Sequence, residues 1–118
     1  MDTKTAIHTY QYAERIKSEL IIASSLLALL DTLEGDERIG AEKLMKTFLE
    51  ALRGEIKIAQ NIEKSMNFIG AEKKVSEALE MLRLGKPADI NRCISNALSL
   101  ITTSCQRAME NLINNNLI

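Results

Sequence analysis

The stretch LIIASSLLALLDTLEGD, Leu20–Asp36, decides the fold. Its first eleven residues, Leu20–Leu30, carry no charge. That is short of the roughly 20 apolar residues needed to cross a bilayer. At helical spacing Leu20, Ala23, Leu27 and Leu30 form one stripe. Ile21, Ile22, Leu26, Leu29 and Leu33 occupy the other faces. A helix that is apolar all round is covered all round. Gly35 then reads as a left-handed glycine ending the helix, and Asp36 as the cap of the next.

Helical periodicity extends in both directions, and no stretch alternates as a strand does. The first helix is expected over Thr3–Glu34, with Ile7, Tyr10, Ala13 and Ile16 continuing its stripe. The second runs over Asp36–Met66 on Ala41, Met45, Phe48, Leu52, Ala59, Ile62 and Met66, with Leu44, Leu49 and Ile56 beside them. Gly54 inside it suggests a bend or a close crossing. Asn67 is the expected cap of a third helix ending at Leu84, before Gly85 and Pro87. The fourth begins at Pro87 or after Asp89 and runs to Ile113 on Ile90, Ile94, Ala97, Ile101, Cys105, Ala108 and Leu112. The expected fold is all-α: one domain, residues 1–118, forming a four-helix up-and-down antiparallel bundle with a short third helix.

The pentapeptide IGAEK occurs at Ile39–Lys43 and again at Ile69–Lys73. Aligning Ile39–Arg53 with Ile69–Arg83 matches nine residues of fifteen, and the likeness stops on both sides. That pattern fits a helix-opening cassette better than a duplicated hairpin. Gly40 and Gly70 are expected at close helix–helix approaches, because a residue without Cβ admits a neighbouring helix.

Composition excludes several function classes. Of 118 residues, 46% are hydrophobic, 26% charged and only 3% aromatic, and the net charge is −1. No basic footprint for nucleic acid is present. The polar opening MDTKTAIHTY shows no secretory signal, and no segment suits a membrane span. Cys93 and Cys105 lie twelve residues apart on one expected helix. That is roughly 18 Å along the axis, too far for a disulfide. Two free, half-buried thiols suit a reducing, cytoplasmic setting and should be chemically quiet.

Catalytic motifs are thin. His8 is the sole histidine and has no carboxylate or histidine at helical spacing. Glu77 and Glu80 form an E-x-x-E, but Lys73, Lys74 and Arg83 surround them, as on a solvated helix face. The double-Glu and E-x-x-D pattern of all-α metal-dependent pyrophosphohydrolases is missing. Ser24, Ser25, Thr102, Thr103 and Ser104 suit helix packing, and Met45, Met66, Met81 and Met109 fill gaps. No cofactor or metal is expected.

The functional expectation is a non-enzymatic interaction protein, an adaptor, chaperone-like or regulatory module acting as a homodimer. A metal-dependent hydrolase using helix carboxylates and a sensor of small apolar ligands are the alternatives. The first two helices, about 30 residues each, span roughly 45 Å, whereas a third of about 17 spans roughly 25 Å. The third therefore leaves the far end of the first hairpin uncovered. The expected interface is Leu20, Ile22, Leu26, Leu29, Leu33, Met45 and Phe48, centred on Leu26 and Leu29, with a second copy or another helical segment as the partner.

Overall fold

The computed structural model describes Met1–Ile118 and contains four helices and no strand. They are α1 (Thr3–Leu30), α2 (Gly35–Ile62), α3 (Met66–Leu84) and α4 (Pro87–Asn114). Neighbours in the ring α1–α2–α3–α4 pack together, while the diagonal pairs do not approach. Short connections and this ring make an up-and-down bundle with a short α3. No helix is long and apolar enough to cross a membrane.

Local chemistry explains the boundaries. The Asp2 carboxylate caps α1, accepting the Thr5 N–H at 2.7 Å. That helix stops at Leu30, one turn before the expected Glu34: beyond it the Thr32 and Leu33 N–H groups reach back only three residues, to the Leu29 and Leu30 carbonyls, and the Thr32 hydroxyl also donates to the Leu29 carbonyl at 2.7 Å. Gly35 is left-handed, with φ +60°, but it opens α2 instead of closing α1. Ser65, not Asn67, caps α3, its hydroxyl accepting the Phe68 N–H at 3.3 Å. Met66 thus belongs to α3 and is 79% exposed, outside the stripe expected for it. Gly85 closes α3 at φ +71°, and Pro87 opens α4.

The core is one aliphatic seam. It includes Ile16 and Leu20 of α1, Leu49 and Ile56 of α2, Phe68 and Val75 of α3, and Ile94 and Ile101 of α4. Full burial of each contributes about 1.5–3 kcal/mol. The whole expected stripe of α4 is buried. At the start of α1 the buried residues are Ala6 and Thr9, one position ahead of the expected Ile7 and Tyr10. Thr9 tolerates burial because its hydroxyl donates to the Glu63 carboxylate at 2.9 Å.

The helices are staggered. The body is 54 Å long, whereas a 28-residue helix spans roughly 42 Å. Lys57 of α2 pairs with Glu72 of α3 at 3.7 Å. From Glu72, α3 continues twelve residues to Leu84, and the same distance along α2 leads to Met45. Met45 is also the first buried residue of α2. The segment Gly35–Ala41 therefore stands beyond the end of α3, and Glu42 and Lys43 reach only its last turns. Gly54 carries no close crossing: α2 runs through it unbroken, and nothing lies within 4 Å of where its Cβ would be.

Candidate interaction surface

An apolar groove lies between α1 and α2 near their connection. Leu26, Leu29, Leu30 and Leu33 line one wall, and Ala41, Leu44, Met45 and Phe48 the other. It encloses about 280 Å³, and all of its lining residues are hydrophobic. Leu29 is 58% exposed and Leu44 is 76% exposed. Beside the groove, the outward face of α1 adds Ile21 and Ile22, each about half exposed. No charged residue interrupts α1 between Glu19 and Asp31.

Most of the expected interface residues come together here. Leu26, Leu29, Leu33, Met45 and Phe48 line the groove, and Ile22 flanks it. Leu20 does not belong to it: it is 0% exposed and sits in the core, because it falls on the inward stripe with Ile16 and Ala23. Met45 serves both surfaces, lining the groove while only 4% exposed. The two glycines differ. A Cβ on Gly70 would stand 3.0 Å from Leu100 Cδ1, so the Leu100 side chain of α4 packs onto α3 there. A Cβ on Gly40 meets nothing within 4 Å, so the expected close approach is absent, α3 having ended before that level.

The opposite flank of α2 is built differently. A larger cleft of about 530 Å³ separates it from α3. Glu42, Lys43, Lys46, Glu50 and Arg53 face Glu80 and Arg83 across it. Lys46 and Glu50 pair at 4.0 Å, and Arg83 binds Glu80. Such a lining is satisfied by its own ion pairs and by water. The apolar groove has no comparable way to be satisfied by solvent.

At the lower edge of the apolar face, Arg15 of α1 forms an ion pair with Glu55 of α2 and stacks 5.1 Å over the Tyr12 ring. Burial first, then the adjoining Glu55 carboxylate, pushes the Glu19 carboxyl up to about 7, with Arg15 opposing the shift. Sequence reasoning missed this cluster, because its members come from two helices about 40 residues apart in the chain and no local pattern joins them.

The remaining candidates have structural partners. Cys105 donates to the Glu14 carboxylate at 2.9 Å, and Cys93 approaches that of Glu77 at 3.8 Å. Burial, followed by the Glu14 hydrogen bond, pushes the Cys105 thiol up to about 11. Burial also raises Cys93, so both are poor nucleophiles near neutral pH. Glu14 itself is held low, chiefly by the Cys105 hydrogen bond and then by Lys17 at 2.8 Å. His8 lies in a shallow surface hollow with Gln11, Tyr12 and Arg15. Glu77 pairs with Lys74 at 3.1 Å and Glu80 with Arg83, as a solvated face requires. No three His, Cys, Asp or Glu side chains converge as a metal-holding group. Comparison with protein-family models, with curated proteins and with solved structures finds no match.

Proposed function

We propose that this protein is a non-enzymatic interaction module that works as a homodimer, joined through the apolar groove of α1 and α2 and the α1 face beside it. One observation carries the reading: a groove walled entirely by hydrophobic side chains adjoins a charge-free helix face. Contiguous apolar surface of this kind is uncommon on monomers, and excluding water from it drives association. A two-fold pairing covers the patch with itself, which is why a second copy is the simplest occupant.

Sedimentation at micromolar concentration tests this. The expected result is twice the chain mass. Changing Leu26 and Leu29 together to Glu should weaken association by at least about 100-fold, since desolvating an unpaired carboxylate costs several kcal/mol. Lys57→Ala, which removes an exposed ion pair, should leave the mass unchanged. A wild-type monomer at that concentration overturns the reading.

A further inference from the structure

One seam follows the junction between α1 and α2. On α1 it runs through Arg15, Glu19, Ile22, Leu26 and Leu29, at spacings of four, three, four and three. On α2 it runs through Ala41, Leu44, Phe48, Ala51 and Glu55, at spacings of three, four, three and four. Such spacing keeps a line of residues on one side of each helix. The upper part of the seam is the apolar groove. Below it stand Ile22 and Ala51, both exposed. The next turn of the same line holds Arg15, Glu19 and Glu55.

This cluster is one cation short. Two carboxyl groups on facing helices adjoin a single guanidinium, and Arg15 is bound to Glu55. Glu19 is half-buried and meets the Glu55 carboxylate as a hydrogen-bond partner. A hydrogen bond between two carboxyl groups requires a proton on one of them. Arg15 claims Glu55, so the proton belongs on Glu19.

The other charges nearby are engaged elsewhere. On α1, Lys17 bonds Glu14, which also takes the Cys105 thiol of α4. On α2, Lys57 pairs with Glu72 of α3, and Arg53 lines the cleft between α2 and α3. Helix α3 does not pack against α1.

Resting on the dimer reading above, we propose that association of two copies is proton-linked: Glu19 is protonated in the dimer, and its ionisation loosens the interface. A second copy seated on Ile22 and Leu26 excludes water from the next turn of the seam. A carboxylate that loses water without gaining a cation is disfavoured, whereas the protonated Glu19 keeps its bond to Glu55 and carries no charge. In the separate subunit, burial and then Glu55 already push this carboxyl up to about 7, so the linkage operates near neutral pH. Association raises it further. The added affinity is therefore complete below pH about 7 and is lost as pH rises through the value in the dimer. Each unit of that rise, at each of the two copies, is worth about tenfold in affinity.

Sedimentation equilibrium at pH 6 and pH 9 tests this. The wild-type Kd should be at least about tenfold lower at pH 6. Glu19→Gln, which keeps the side chain neutral at every pH, should associate tightly at both. His8→Gln, changed eleven residues below Glu19 and roughly 17 Å away along α1, should retain the wild-type dependence. A dimer whose Kd is the same at both pH values, or a dependence that persists in Glu19→Gln, overturns the proton linkage and leaves the dimer standing. A wild type that is monomeric at both pH values overturns both.

Discussion

The same five residues, IGAEK, stand near the start of two helices and meet opposite surroundings. In α3, Gly70 lies against Leu100, and Ala71 is fully buried. In α2, Gly40 faces open space, and Ala41 is only half-buried. Both copies are helical, so local propensity is satisfied equally. The difference is the neighbour. The start of α3 runs along α4, while the start of α2 projects past the end of α3. The sequence after each copy answers to this. Downstream of the covered copy, the outward face carries a lysine and a glutamate; downstream of the projecting copy, it carries a leucine and a threonine. An apolar face on the least-covered part of a bundle is where a partner contributes most free energy.

Exchanging those surfaces breaks the comparison most strongly. Leu44→Lys with Thr47→Glu gives α2 the ion pair of α3. If the proposed dimer forms, this variant should weaken it on the order of 100-fold, or ~2.8 kcal/mol, while the separate subunit keeps its stability, because an exposed i,i+3 pair is tolerated. Sedimentation and chemical denaturation on the same samples read both quantities. Unchanged association would remove α2 from the interface.

The glycines give a smaller effect. Gly70→Leu should cost about 1–3 kcal/mol through overpacking against Leu100. Gly40→Leu should instead gain up to ~1 kcal/mol, since a helix-favouring residue replaces glycine in open space. Equal midpoints in urea for the two variants would mean that the two copies are not differently covered.

The smallest effect concerns the Arg15–Glu19–Glu55 cluster at the edge of the apolar face. Glu19 has its folded value raised to about 7 from an ordinary 4.5. The protonated form is favoured by folding, so its contribution is complete below pH about 4.5 and is lost as pH rises through about 7. Tm should therefore fall by a few degrees at most across that window. Glu19→Gln should flatten the profile and raise Tm above that of wild type at pH 8. An identical slope in the two proteins would show that Glu19 does not titrate there.

Much of the architecture was legible in the residues, and particular elements show why. The stripe Ile90–Leu112 reads correctly because α4 is covered on both sides by α1 and α3, and its period records that. The end of α3 reads correctly because Gly85 and Pro87 act within a few residues of the chain. Leu20 was misplaced because an all-apolar run loses the contrast that marks an inward face. The start of α3 shifted because the Ser65 hydroxyl accepts the Phe68 N–H, a cap that several nearby residues could have supplied, and the end of α1 shifted because its last bonds tighten to three residues at Thr32 and Leu33.

The helices, their number and the apolar stripes that join them follow from local chemistry, because backbone propensity, capping and 3.6-residue periodicity act over a turn or two. Which apolar residues remain at the surface depends instead on how the four helices pack. Gly40 and Gly70, and the segments around them, are told apart by where another helix ends. Likewise Cys105 finds Glu14 across 91 positions of chain, and Arg15 finds Glu55 on the next helix. These are consequences of stagger and register between helices, set by the summed fit of all four, and no short window of sequence contains them.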